Sequence, residues 1–167
     1  YTSTDADASA IFLWDTTDNN ITMTGDVTTT GAVSGLIRTN NSDNNTMSFT
    51  GNIRTEGAGS PAILLGTDSD NNTINVTGNI TTTGNNSSGL DIIASDSNNI
   101  TINGNITTSG TGVSGEPIRF TNSDSNTITL SGTAHSLGGD QAISLGTNSQ
   151  SNTFILKRGA SFVGGLE

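Results

Sequence analysis

Short stretches of alternating apolar and polar residues recur along the whole chain with a nearly fixed period. The unit Asn-Thr-Ile-Asn-Val-Thr-Gly-Asn-Ile-Thr-Thr-Thr-Gly at 72–84 returns with few changes at 98–110. A repeat of this length is typical of a solenoid, in which each repeat buries its apolar side by stacking on its neighbours. The first apolar residue of the unit occurs at six positions, in steps of 26 to 28 residues: Ile21, Met47, Ile74, Ile100, Ile128 and Phe154.

Each repeat contains three such stretches, and alternation with period two indicates a half-buried strand. In the third repeat the inward pairs are Ile63/Leu65, Ile74/Val76 and Ile80/Thr82. No stretch has the spacing of an amphipathic helix. The pattern therefore predicts an all-β fold: a single-stranded right-handed parallel β-helix of about six coils with three short strands per coil. The right hand follows from the strong bias of parallel crossover connections.

We expect residues 1–167 to form one β-solenoid fragment of a longer protein. The predicted coils are approximately 9–34, 35–60, 61–87, 88–113, 114–140 and 141–165. Solenoids need polar caps to shield their last coils, and none is apparent here. The residues expected near open ends, where strand edges would permit end-to-end self-association, are Ile11, Leu13, Phe154 and Phe162.

Glycine and asparagine recur at fixed places in the turns. We expect both glycine columns to supply positive φ angles, which glycine adopts without steric cost. They comprise Gly25, Gly51, Gly78, Gly104 and Gly132 between strands one and two, and Gly31, Gly57, Gly84, Gly110 and Gly138 after strand two. An asparagine also precedes strand one in every repeat. Asparagine tolerates the left-handed conformation, and identical amides in register can hydrogen-bond one another. The predicted structural ladder consists of Asn19, Asn45, Asn72, Asn98, Asn126 and Asn152.

Composition and charge narrow the classes of function. The chain is 30% apolar and 12% charged, and its formal net charge is −10. This charge argues against nucleic acid as a partner, because phosphate contacts need clustered Lys and Arg. The chain lacks an apolar run of the length that spans a bilayer, so we expect no direct membrane insertion. Cysteine is absent, which excludes disulfides and cysteine-ligated metal sites.

Two motifs resemble repeats of a known class of proteins. Asn-Thr-Ile-Thr-Leu-Ser-Gly at 126–132 and Gly-Asn-Ile-Thr-Thr-Thr-Gly at 78–84 are similar to repeats in bacterial autotransporter passengers and related surface β-helix adhesins. The resemblance extends from about Ser9 to Phe162. It implies a secreted or cell-surface stalk or adhesin that contacts a host or neighbouring cell, with glycans among the expected ligands. It transfers no functional residue, because the shared motif is structural.

The outward positions of strand one form the most suggestive surface. They are uncharged, and they could bind a neutral sugar or, through Thr-x-Thr arrays like those of ice-binding proteins, order water. Thr is also a favoured residue at any solvent-facing strand position. We therefore predict an adhesive or stalk function, with an ice-binding β-solenoid as the alternative. The candidate face comprises Thr22, Thr24, Ser48, Thr50, Asn75, Thr77, Thr101, Asn103, Thr129 and Ser131.

Carboxylates suggest two weaker possibilities. An aspartate lies four residues before strand one in four repeats, where it could hold calcium or accept backbone N–H groups of its own turn. These residues are Asp43, Asp70, Asp96 and Asp124. A second alternative is a carbohydrate-active β-helix, for which an outward row of Arg38, Asp91 and Arg119 could bind an anionic sugar or simply match charges along the sheet. We predict no catalytic residue, no enzymatic activity and no required cofactor.

Overall fold

The computed structural model describes residues 1–112, 114–138 and 141–166, without the side chains of residues 165 and 166. It is an all-β solenoid of about six turns, with about 26 residues per turn and three parallel sheets along its length. The described residues include no helix long and apolar enough to cross a bilayer. The predicted parallel β-solenoid with three strands per coil is confirmed, and its right-handedness stays a prediction.

Each coil contributes one strand to each sheet. Sheet 1 consists of Asn20–Thr24, Thr46–Thr50, Thr73–Thr77, Asn99–Asn103, Thr127–Leu130 and Thr153–Leu156. Sheet 2 consists of Thr2–Ser3, Val27–Thr29, Ile53–Thr55, Ile80–Thr82, Ile106–Thr108, Thr133–Ser136 and Ser161–Val163. Sheet 3 consists of Ile11–Trp14, Ile37–Asn40, Ile63–Leu65, Leu90–Ile93, Ile118–Thr121, Gln141–Leu145 and Gly165–Leu166.

Equivalent residues of successive repeats lie side by side in every sheet. Ile74, for example, pairs with Met47 on one side and Ile100 on the other. This register survives differences in repeat length because turns absorb the extra residues. Ten residues separate Ile80 from Leu90, whereas twelve separate Ile106 from Ile118, and both pairs still align. A slip of one residue would turn the apolar columns outward, so the alternation itself fixes the register.

The core is a set of apolar columns along the axis of the solenoid. Ile74, Val76, Ile80 and Leu90 are completely buried, and burying one such side chain contributes roughly 1.5–3 kcal/mol. Sheet 2 also places a threonine in this core in several coils. Its hydroxyl donates to the backbone carbonyl five residues later, at 2.7 Å for Thr82. Thr29 and Thr55 make the same bond, whereas the buried hydroxyls of Thr108 and Ser136 in this column have no hydrogen-bond partner among the described residues.

The two ends differ from the expectation for open coils. Thr2–Ser3 adds a strand before the first predicted coil, and Ile11 and Leu13 are only 9% exposed. At the other end, Leu145 and Leu156 continue the columns of the buried Phe120 and Leu130 but are 44% and 45% exposed, since no complete coil stacks on them. Phe154 is half-buried and makes an edge-to-face contact with Phe120, with ring centroids 5.7 Å apart.

The expectation that both glycine columns adopt positive φ is wrong for the second column and for two members of the first. Gly51 and Gly78 do have φ values of 148° and 142°, but Gly104 and Gly132 in the first column, and Gly84 and its equivalents in the second, lie outside this region. The reason for glycine there is space: a Cβ on Gly84 would collide with the carbonyl oxygen of Gly57 in the preceding coil. The second column thus permits close approach of backbones at the corner after sheet 2.

Candidate functional site

The six predicted asparagines stack along one corner of the solenoid and hydrogen-bond between coils. The backbone N–H of Asn45 donates to Oδ1 of Asn72 at 2.9 Å, and Asn45 Nδ2 donates to the same oxygen at 3.1 Å. Asn72 repeats the backbone bond with Asn98 at 2.8 Å. The four inner asparagines are buried, whereas Asn19 and Asn152 at the ends are half-buried. The ladder is therefore a structural element that joins every coil to the next.

The left-handed residue in this turn is the one before the ladder asparagine. Asn44 and Asn71 have φ of 56°, and Ser97 has φ of 59°. The ladder asparagines do not have positive φ, contrary to the expectation from residue type. Their side chains are used between coils, and the turn is formed by a small polar residue that tolerates φ near +60°.

The aspartates proposed as calcium ligands form a second ladder. Its backbone N–H groups donate to the preceding coil, whereas those of the asparagine ladder donate to the following coil. The backbone N–H of Asp70 donates to Oδ1 of Asp43 at 2.8 Å, and the N–H of Asp96 donates to Oδ1 of Asp70 at 2.6 Å. Asp124 continues the series by bonding to Asp96 at 2.7 Å. Each carboxylate thus accepts an N–H from the following coil, not from its own turn. Among the described residues no three acidic or metal-binding side chains gather into a group that could hold a metal ion.

Stacked carboxylates change the acidity of Asp70. Partial burial raises the pKa of Asp70 above its ordinary value of 3.8, and the negative charges of Asp96, Asp43 and Asp68 raise it further. The N–H of Asp96 opposes this shift because it stabilises the charged form. The aspartate column therefore combines a favourable hydrogen bond with repulsion between like charges.

Two further hydrogen-bonded columns were missed in the sequence. Serine lies three residues before the ladder asparagine in five repeats, and its hydroxyl accepts the N–H of the previous coil. The buried members of this serine column are Ser42, Ser69, Ser95 and Ser123. An exposed column of Asn52, Asn79 and Asn105 follows Asp26 at the corner between sheets 1 and 2. The regular spacing of these serines and asparagines in the sequence could have predicted both columns.

The outward side of sheet 1 is a continuous uncharged surface, here called the sheet 1 face. Register aligns Thr22, Ser48, Asn75, Thr101 and Thr129 in one column. A second column contains Thr24, Thr50, Thr77 and Asn103, while Ser131 lies just beyond the end of its strand. The structure adds a third column that was not predicted: Asn20, Thr46, Thr73, Asn99, Thr127 and Thr153.

Charges are placed on the other two sheets. On sheet 2 Arg54 pairs with Glu56 at 2.6 Å, and His135 occupies the same outward column as Arg54. On sheet 3 the described outward positions include Arg38, Asp91 and Arg119. The strands of sheet 1 contain no charged residue, so the sheet 1 face is chemically distinct in a protein with a net charge of −10.

The proposed Arg-Asp-Arg row on sheet 3 does not form. Arg119 makes a bidentate pair with Asp91 at 3.0 and 2.8 Å, but Leu64 lies between Asp91 and Arg38. Arg38 instead pairs with Asp7 at 3.3 Å. Burial raises the pKa of Asp91 although Arg119 opposes the shift. The bidentate pair uses both charges internally, which leaves no row of alternating charges for an anionic sugar.

Two exposed aromatic side chains on sheet 3 were also missed. Phe12 and Trp14 are 52% and 58% exposed, and their rings meet edge to face with centroids 5.9 Å apart. The guanidinium of Arg38 lies 5.6 Å from the centroid of the Phe12 ring. The alternating pattern of residues 11–14 predicted a strand, but its two outward aromatic residues distinguish this coil from the others.

Comparisons with protein-family models, with curated proteins and with solved structures found no match to this chain.

Proposed function

We propose that the chain is a rigid β-helical segment of a secreted bacterial surface adhesin, and that the sheet 1 face is its adhesive surface. The rigidity rests on the asparagine, aspartate and serine columns, which tie each coil to the next at several corners. A rod with one uniform polar face can serve as a stalk and present that face to a host or neighbouring cell. The resemblance of its repeats to autotransporter passengers supports a secreted, surface-exposed location.

The observation that carries this proposal is the absence of charge from the strands of the sheet 1 face. The hydroxyls of Thr and Ser and the amide of Asn each both donate and accept hydrogen bonds. A surface of such groups complements the hydroxyls of a neutral glycan. An unscreened acidic surface would instead repel the anionic groups common on cells. The sheet 1 face is therefore the best-suited contact surface of this acidic rod.

The experiment places one bulky charge at the centre of the face. Thr101→Arg should abolish binding to glycans or to host or neighbouring cells, because it blocks the middle column. Thr107→Arg is the matched control, since Thr107 is an equally half-exposed outward residue of the same coil on sheet 2. Both variants should keep the thermal stability of the parent. Equal binding by the two variants would contradict assignment of adhesion to the sheet 1 face.

The three aligned columns also favour a second candidate, ice binding. They arrange hydroxyls and amides in two dimensions, with coils about 4.8 Å apart. Under this alternative, the protein produces thermal hysteresis that Thr101→Tyr removes. The interruptions at Ser48, Asn75 and Asn103 make the array less uniform, so we rank it below adhesion and expect no measurable hysteresis. Clear hysteresis at micromolar protein would reverse this order.

A further inference from the structure

The exposed aromatic pair on the first strand of sheet 3 lies apart from the sheet 1 face and plays no role in the proposed adhesion. We propose that Phe12, Trp14 and Asp15 form a binding site for a quaternary ammonium group, called here the Trp14 site. The chain contains seven aromatic residues, and one of them is tryptophan. Placing this tryptophan 58% exposed beside an exposed phenylalanine leaves apolar surface in water that a ligand could cover.

A carboxylate is held at the edge of the indole ring. Trp14 Nε1 donates to Asp15 Oδ2 at 2.6 Å, and Asn41 Nδ2 donates to Asp15 Oδ1 at 2.6 Å. These two bonds fix the carboxylate beside the ring while it remains exposed to solvent. A cation resting on the indole would therefore meet both the negative face of the ring and a full negative charge.

The same cluster already accommodates one cation on an aromatic ring. The guanidinium of Arg38 lies 5.6 Å from the Phe12 centroid, while its charge is balanced by Asp7 at 3.3 Å. The Phe12 ring thus already contacts a cation from within the chain. No comparable cation lies over the Trp14 ring among the described residues. Trp is the ring that binds cations best. The charge of the cluster and of the whole protein, which is −10, also favours a cationic ligand.

The shallow shape of the site selects the kind of cation. The described residues form no enclosed pocket, so the ligand must bind on an open surface. A primary ammonium is compact and strongly hydrated, and an open surface offers too few hydrogen bonds to replace its water. A quaternary ammonium has no N–H groups to satisfy and carries methyl groups that pack on a ring. We therefore expect a choline-type group to bind in preference to a lysine-type group.

Trp14 supplies its own probe, because fluorescence from the single tryptophan reports directly on the site. We expect titration with tetramethylammonium chloride to change this fluorescence with a dissociation constant on the order of tens to hundreds of millimolar, as suits one exposed cation–π contact. Sodium chloride at the same ionic strength should give no saturable change. Phosphatidylcholine vesicles form a second arm: a saturable change there points to a lipid headgroup as the source, and a response to the soluble ion alone points to a free compound.

Matched variants separate charge from packing. Asp15→Asn should weaken binding by about two- to fivefold, because its one amide oxygen can still accept the indole N–H while the charge is removed. Asp18→Asn makes the same change in net charge at a nearby exposed residue and should leave binding unchanged. Phe12→Ala should weaken binding, whereas Leu137→Ala, which truncates another exposed apolar side chain, should not.

Four results would overturn the proposal. The first is the absence of a saturable response to tetramethylammonium. The second is equal binding by Asp15→Asn and Asp18→Asn. The third is an equal response to a neutral methyl glycoside, which would indicate an aromatic platform for sugars. The fourth is fluorescence that changes with protein concentration alone, which would indicate that a second copy of the chain covers Trp14.

Discussion

Asn72 accepts two hydrogen bonds from Asn45 through a single oxygen and donates its own Nδ2 to the carbonyl of Ser42 at 2.9 Å. The side chain is completely buried. We predict that Asn72→Ala lowers the free energy of unfolding by roughly 1–3 kcal/mol, because it leaves a buried N–H of Asn45 without an acceptor. Thr81→Ala, at an outward position of sheet 2, should stay within about 0.5 kcal/mol of the parent.

Urea or thermal unfolding monitored by circular dichroism would measure both variants. Asn98→Ala and outward Thr101→Ala form a second pair at the next coil. Equal changes in stability for the ladder and surface variants would mean that the ladder bonds contribute little.

The glycine columns give a test of backbone packing. Gly84→Ala should destabilise the fold by about 1–3 kcal/mol or more, because its Cβ would overlap the Gly57 carbonyl and the coils would have to separate. Gly59→Ala is the control, since no atom lies within 4 Å of its added Cβ and its φ is +62°. Gly59→Ala should lower the free energy of unfolding only by the cost of placing an alanine in the left-handed conformation, roughly 1–2 kcal/mol. A smaller loss for Gly84→Ala than for Gly59→Ala would contradict the packing role.

The raised pKa values of Asp70 and Asp91 predict a definite pH dependence. Between the unfolded value near 3.8 and the higher folded pKa, the native state binds more protons than the unfolded state. These two groups therefore make stability fall as pH rises through that window, and acidification toward about pH 4 recovers it. Asp70→Asn keeps an Oδ1 acceptor for the N–H of Asp96 and removes the charge, so it should stabilise the protein at neutral pH.

Urea midpoints of the parent and Asp70→Asn, measured from neutral pH down to about pH 4, would show this effect. The advantage of the variant should shrink as pH falls, because Asp70 then becomes neutral in the parent as well. Asp5→Asn, an equal change in net charge at an exposed residue, controls for general repulsion. An advantage of the same size for Asp5→Asn would assign the effect to net charge and not to the aspartate ladder.

The exposed C-terminal coil predicts self-association at high concentration. Leu145 and Leu156 are 44% and 45% exposed beside strand edges, and such edges can pair with another chain. We expect sedimentation to detect concentration-dependent oligomers, and Leu156→Glu to reduce them. Leu137→Glu, which changes the same residue type at a more exposed position away from the final strand of sheet 1, should have less effect. A monomer at all concentrations would refute the prediction.

The architecture could be predicted from the sequence because the residues of each inward column follow a regular pattern along the chain. Ile74 and Val76 alternate with polar residues, and their equivalents recur at the solenoid period, so both the strand and its stacking follow. The bonding partners were harder to predict. Sequence assigns Asp70 and Asp96 to one column, but only the stacked backbones reveal that the N–H of one coil reaches the carboxylate of the coil before it.

Surface sites were less predictable because their partners come from different elements. Arg38 was expected to belong to a row with Asp91, yet the turn residue Asp7 and the ring of Phe12 lie closer. Conversely, Asp91 and Arg119 are adjacent because the intervening repeat is exactly one coil in space, despite its 28 residues in sequence. The sheet 1 face was largely predictable, since the residues of a regular strand alternate in direction.

The hydrogen bonds of the asparagine and aspartate ladders join only neighbouring coils. A coil inserted between two others would find an asparagine donor and an aspartate acceptor on the preceding coil, and an asparagine acceptor and an aspartate-column N–H donor on the following coil. Duplication of a gene segment encoding one repeat would then lengthen the rod without redesigning any contact. Length in such a protein can therefore evolve by copying units, while the chemistry of each exposed face diverges coil by coil.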